Sequence, residues 1–307
     1  MISVSGLKKS FGAIQALKGI DFEVNRGELF GLLGPNGAGK TTTISIMSTI
    51  LKPDGGNVVI NGLDLRSDTL RFKKMIGVVP QEIALYDDLS ATENLMFWGS
   101  LYNISKPVLK QTIEKTLKLF GLYDRRDYKI KTYSGGMKRR INIASAILHN
   151  PEVLFMDEPT VGIDPQSRNL IFEVITELHN QGMTIIYTTH YMEEAERLCN
   201  RTGIIDDGLI IANGTLEELR NLSRLQETIT ITFAESVIVD LNKLSIDGID
   251  MQTDQNLLHC YTGNLQAALP KIIQRCSELD LSILNVNIQK INLETIFLHL
   301  TGKKLRD

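Results

Sequence analysis

The apolar positions of this chain change period along its length. Residues 2–8 and 16–24 read as strands, the second with Ile20, Phe22 and Val24 on one face of a two-residue alternation. They predict an antiparallel layer. The segment 28–33 reads as the next strand and passes directly into Gly34. Ile44, Met47 and Leu51 follow at helical spacing, with Pro53 and Gly55-Gly56 as the stop. From Ser90 the pattern turns helical: Ser90-Ala91-Thr92-Glu93 is a capping box, and Leu109, Ile113, Leu117 and Phe120 share a face before Gly121. A helical subdomain over about 82–150 is expected to interrupt the sheet. The solid apolar run 153–156, a helix opened by Asp164-Pro165 and closed by Gly182, and the run 184–189 give strand, helix, strand. That order predicts parallel pairing with helices on the faces.

After about residue 222 the pattern restarts. A strand at 228–233, a short helix at 236–244, two strands meeting at 254–256, a helix at 265–279 and a strand at 282–289 lead to a last helix. Asn292 caps that helix, and Leu293, Ile296, Phe297 and Leu300 form its apolar stripe. The expectation is an α/β protein: a mainly parallel unit over 1–222, with the antiparallel layer and the helical insertion, and a small α+β domain over 228–307 of split βαβ, ferredoxin-like pattern.

Composition narrows the class. With 43% apolar and 22% charged residues, the 307-residue chain can bury sizeable cores and is not a disordered sequence. Its net charge of −3 supplies no field for nucleic acid or an anionic membrane surface, so no nucleic-acid partner is expected. Cys199, Cys260 and Cys276 are far apart and lack a CxxC pair, which reads as reduced, buried thiols in a cytoplasmic protein. No run of about 18 apolar residues and no basic leader are seen, so any membrane pore is expected from another polypeptide.

The chemistry lies in short segments. Gly34-Pro35-Asn36-Gly37-Ala38-Gly39-Lys40-Thr41-Thr42 fits GxxxxGK[ST] between a strand and a helix. Glycines let successive N–H groups face phosphate oxygens, and the helix adds its positive end. Lys40 is expected on the β- and γ-phosphates and Thr41 on Mg²⁺. Asp157 and Glu158 end the apolar run 153–156, at the mouth where parallel sheets bind ligands; a solvated turn before Pro159 is the other reading. Asp157 suits Mg²⁺, and Glu158 suits the base that polarises an attacking water.

Between these motifs lies Tyr133-Ser134-Gly135-Gly136-Met137. With it the chain resembles the nucleotide-binding subunit of an ATP-binding cassette transporter, a P-loop NTPase whose signature is usually Leu-Ser-Gly-Gly-Gln. The resemblance implies ATP and Mg²⁺ as ligands and a head-to-tail pair of cassettes, in which Ser134, Gly135, Gly136 and Met137 act on the partner's ATP. It also implies a Q-loop role for Gln81 (catalytic, and on Mg²⁺), a dimer-interface D-loop role for Asp164, a switch role for His190 and adenine stacking for Phe11. A structural histidine and a core phenylalanine are the other readings of the last two.

Met137 in place of Gln, followed by Lys138-Arg139-Arg140, and the ending Leu293 to Lys303 resemble the daunorubicin-resistance branch of exporters. The expected function is therefore an ATPase subunit, held at the inner face of the membrane, that drives a separate transmembrane permease. The segment 82–89, with Phe97 and Trp98, is either the permease groove or part of the subdomain core. Rival readings are a soluble cassette ATPase on ribosomes or DNA, which the single cassette without sustained heptads disfavours, and a regulatory ATP switch with a sensor tail.

Overall fold

The computed structural model describes residues 1–223, 225–234 and 244–302. They form two compact units, Met1–Leu216 and Glu217–Gly302. This division falls one helix ahead of the boundary expected at 222–228. Helix α8 (Leu216–Ser223) is tied to the second unit, where Arg220 Nε donates to the Ile291 carbonyl at 2.9 Å.

In the first unit, β1 (Ile2–Phe11) and β2 (Ile14–Val24) pair antiparallel and are joined by β4 (Gly55–Ile60) and β5 (Leu63–Asp64) in the order β2-β1-β4-β5. A second, six-stranded sheet contains β3 (Leu29–Leu33), β6 (Ile76–Val79), β7 (Val153–Asp157), β8 (Thr184–Thr189), β9 (Arg201–Asp206) and β10 (Leu209–Gly214). Its order is β10-β9-β3-β8-β7-β6, parallel throughout except for the β9-β10 edge.

The apolar runs lack alternation because both faces of this sheet are covered. Leu154 and Met156 of β7 join Ile185 and Tyr187 of β8 in one apolar cluster; Val153 and Phe155 join Ile186, Phe30 and Leu32 in another. Around the sheet stand α1 (Lys40–Met47), α2 (Thr69–Met75), α3 (Ala91–Ser100), α4 (Lys106–Leu119), α5 (Gly135–Ile147), α6 (Pro165–Asn180) and α7 (Met192–Leu198). The helical insertion contains α3 to α5, and Ser90 closes the predicted capping box with Glu93. One helix is shorter than expected. Thr49 takes φ +65°, so the chain leaves α1 at Met47, and Leu51 lies beyond the helix rather than on its face.

The second unit has β11 (Glu227–Phe233), β12 (Asp250–Asp254), β13 (Leu257–Thr262), α9 (Leu265–Glu278), β14 (Ile283–Gln289) and α10 (Leu293–Thr301). Its sheet order is β12-β13-β11-β14 with every neighbour antiparallel, the arrangement of a split βαβ domain. The helix expected at 236–244 lies outside the described residues except for Leu244. All three cysteines are free thiols. Cys260 and Cys276 are buried as expected. Cys199 is not fully buried as a residue, although its Sγ turns inward, towards Gly31.

Candidate functional site

The strand order gathers the candidate residues. β3, β8, β7 and β6 are consecutive parallel neighbours, and their carboxyl ends lead into Gly34, His190, Glu158 and Gln81 respectively. Leu33 pairs with Thr189, Thr188 with Asp157, and Met156 with Val79, so the four ends stop at one level. At about 4.8 Å per strand they span about 14 Å.

Loop geometry explains the glycines. Gly39 takes φ +112° and precedes α1; a side chain there would also meet Leu17 at 2.7 Å and the Ala16 carbonyl at 2.9 Å. At Gly34 a Cβ would sit 2.1 Å from the Ile205 carbonyl oxygen. Such a loop can bring backbone N–H groups close to an anion. Beneath it Lys40, only 4% exposed, donates from Nζ to the carbonyls of Gly34 (2.8 Å) and Pro35 (2.9 Å).

A cavity of about 390 Å³ opens at this level, of a size usual for ligand sites. Asn36, Gly37, Gly39, Lys40, Thr41 and Thr42 line it from the loop; Gln81, Glu158, Val161 and His190 line it from the neighbouring strand ends. The carboxylate of Glu158 lies between two of these groups, with Oε1 3.0 Å from Lys40 Nζ and Oε2 3.3 Å from His190 Nδ1. Glu158 also takes φ +43°, an unfavourable conformation for a residue with a side chain, of a kind that concentrates at active sites. Its N–H is held by Thr188 Oγ1 at 3.0 Å, and the same hydroxyl donates to Asp157 Oδ1 at 2.7 Å. Burial raises the carboxyl pKa of Asp157 above the usual range, against the opposing hydrogen bonds from Thr188 and Thr41.

Gln81 is placed from behind. Arg139 on α5 is 3% exposed and donates to the carbonyls of Pro80, at 2.7 Å, and Gln81. Asn142 accepts from the Ala84 N–H at 3.2 Å, and Lys138 pairs with Asp87 at 2.7 Å. One face of α5 thereby fastens the segment 80–87.

The signature residues start the same helix but do not line the cavity. Ser134 caps α5, accepting from the Met137 N–H at 3.3 Å. A Cβ on Gly136 would lie 2.1 Å from Ser167 Oγ, so this glycine permits contact between the starts of α5 and α6. Asp164 caps α6, accepting from the Ser167 N–H at 2.9 Å. Met137 packs against the apolar cluster of the helical insertion. Phe11 is 49% exposed across a hairpin from Ile14, which removes the core reading of its ring. Thr188 is a site element that no sequence motif announced; Val161 and Arg139 belong to the D-loop and signature segments, whose motifs give them no role in the site.

A family model described as ABC transporter matches residues 17–161. The linearmycin resistance ATP-binding protein of Bacillus subtilis (strain 168) is 43% identical over 311 aligned residues, covering 100% of both chains. The daunorubicin/doxorubicin resistance ATP-binding protein of Streptomyces peucetius is 35% identical, covering 100% of this chain and 94% of its own. Among solved structures, an ATP-binding subunit of an ABC transporter superposes with TM-score 0.66 at 31% identity, over 72% of this chain and 92% of that one. A dimeric cassette in a post-hydrolysis state, bound to ADP and Pi, gives TM-score 0.64 at 26% identity, over 70% and 98% of the two chains. With its phosphate loop, paired carboxylates and signature helix on that fold, the chain belongs to the ABC transporter family, as an ATP-binding and ATP-hydrolysing subunit.

Proposed function

We propose that two copies of this chain enclose two ATP molecules head to tail and drive a separate transmembrane exporter subunit. The observation behind the pairing is that Ser134 to Met137 form a helix start but stand outside the lining of the cavity that holds Lys40 and Glu158. An anion motif unused by its own cavity suits a partner's nucleotide, and one such contact made reciprocally gives two-fold closure. The related cassette solved as a dimer with ADP and Pi supports the same assembly.

In this reading the loop N–H groups and Lys40 orient the β- and γ-phosphates. Thr41, Asp157 and Gln81 are hard oxygen donors that fit Mg²⁺, and the buried Asp157 carboxylate suits a cation. Bound there, Mg²⁺ would supply charge neutralisation on the phosphates. Glu158 accepts the proton of the attacking water, and His190 at its other oxygen holds that arrangement. Ser134 and the Gly135 and Gly136 N–H groups of the partner copy meet the developing charge, Asp164 lies at the shared interface, and Phe11 presents its ring to adenine.

The pairing is tested by complementation. A chain carrying Lys40→Ala mixed with one carrying Ser134→Arg contains hybrid dimers with one intact composite site. The mixture should recover about a quarter of parental ATPase activity, whereas each variant alone is inactive. No recovery, with hybrid dimers demonstrated, would sink the head-to-tail assignment.

Export is inferred from the relatives' names, linearmycin resistance and daunorubicin/doxorubicin resistance. No helix among the described residues is long and apolar enough to cross a membrane; on the relatives' names, the permease is assigned to another chain and this one to its cytoplasmic side. The docking groove is assigned to Tyr86 and Phe97, which stack edge to face at 5.0 Å and remain 49% and 39% exposed. Single cysteines at Tyr86 or Asp87 should crosslink to the permease. The native thiols should stay silent, since burial pushes Cys260 up to about 12 and also raises Cys199 and Cys276. Failure at both positions, with the complex intact, removes the groove.

A further inference from the structure

Glu194, on α7, is 2% exposed and takes no part in the chemistry above. Three hydroxyls converge on its carboxylate: Thr160 at 2.7 Å on Oε1, and Tyr187 at 2.8 Å and Thr189 at 2.9 Å on Oε2. Arg168 of α6 approaches Oε1 at 3.8 Å and stands over the Tyr191 ring, 5.3 Å from its centroid. Each of these groups comes from a segment that carries a site residue. Thr160 lies two residues after Glu158; Thr189 immediately precedes His190; Arg168 stands one helical turn after Asp164.

Thr189 uses its hydroxyl twice. While donating to Glu194, its Oγ1 accepts the N–H of Tyr191 at 2.9 Å. His190 is thereby bracketed between two residues joined by a side-chain bond. The loop carrying Glu158 is braced in the same way, with Thr188 holding the N–H of Glu158 and Glu194 holding Thr160. A strained residue such as Glu158, at φ +43°, persists only where its surroundings over-determine it. An acceptor shared by both loops also couples them, because neither can move without leaving a hydroxyl unpaired in a buried setting.

Resting on the assignment of Glu158 and His190 above, we propose that Glu194 is a positioning residue that locks the two loops in register and so sets the attack geometry for hydrolysis. It touches no phosphate. Its loss therefore lowers turnover rather than ATP affinity.

The test uses the full-length chain with Thr160→Val, Thr189→Val, both together, and the Ser replacements, measured for kcat, KM, nucleotide Kd and thermal midpoint. Each Val variant should lose about tenfold or more in kcat, since small misplacements at a reacting centre cost that much, with KM and Kd within about twofold. Ser retains the hydroxyl and should restore turnover. The double Val variant should fall by less than the product of the single losses, because both act through one carboxylate. Glu158→Gln is the control. If the Val variants keep parental kcat while Glu158→Gln is inactive, the proposal fails and the assignment of Glu158 survives. If the Val and Ser variants are equally impaired, or the loss lies in Kd, Glu194 only satisfies buried hydroxyls and the proposal is overturned. Parental turnover by Glu158→Gln overturns the assignment beneath it and the proposal together.

Discussion

Glu158→Gln should reduce ATP turnover by about 100-fold or more, the range contributed by a positioned general base. The amide keeps the shape of the carboxylate at the end of β7 but cannot take a proton from water. Glu158 is held by its backbone, through Thr188 Oγ1 at 3.0 Å, independently of its side-chain charge. The loop should therefore remain in place. Removing a negative charge 3.0 Å from Lys40 also frees that ammonium for phosphate, so ATP affinity should hold or rise. Single-turnover hydrolysis, nucleotide titration and size-exclusion in ATP check the three parts. The expected combination is slow chemistry, undiminished binding and an ATP-dependent dimer. Turnover at the parental rate would falsify the role of Glu158 as base.

Lys40→Ala should act on the opposite quantity. Lys40 Nζ donates to two loop carbonyls and pairs with Glu158 in a buried setting, so truncation removes the cation proposed for the phosphates and leaves a carboxylate without its nearest positive partner. Breaking one side of a buried pair typically costs about 3–5 kcal/mol. ATP affinity should fall by about 100-fold, the equivalent of losing roughly 3 kcal/mol of charge-assisted contact. The thermal midpoint without nucleotide should fall as well. Adding Glu158→Gln to Lys40→Ala neutralises the stranded carboxylate and should recover most of that stability, but none of the binding. Calorimetric binding and thermal unfolding separate the effects. An unaltered midpoint in the single variant would show that the Lys40–Glu158 pair contributes nothing net.

Much of this site is visible in one dimension because its parts are local. A phosphate loop is a backbone device, and Gly39 at φ +112° and Gly34 against Ile205 show why these positions take no side chain. Caps are local in the same sense. Ser90 with Glu93, Asp164 with Ser167 and Asn292 with Thr295 each join groups three residues apart. Apolar period likewise separates the parallel sheet from the split βαβ unit, since a strand covered on both faces cannot alternate.

Local signals also misplaced one feature and left another undecided. The apolar spacing from Ile44 to Leu51 reads as one helix face, but Thr49 at φ +65° turns the chain first. The exposed ring of Phe11 is decided by where the hairpin opens, and its type does not report that.

The supports of the site have no local signature. Thr188 serves Asp157 from 31 residues away, and Arg139 holds Pro80 from 59. Glutamate has no preference for positive φ that would mark Glu158, and Glu194 reads as an ordinary acidic residue in the first turn of a helix. Residue types, glycine positions, caps and the two periods were set by the chain within a few residues of each position, where backbone sterics and short-range hydrogen bonds act. The order β3-β8-β7-β6, which brings four strand ends to one level and closes the Glu194 network behind them, came from packing two apolar faces of a single sheet, a choice among long-range pairings that no short segment encodes.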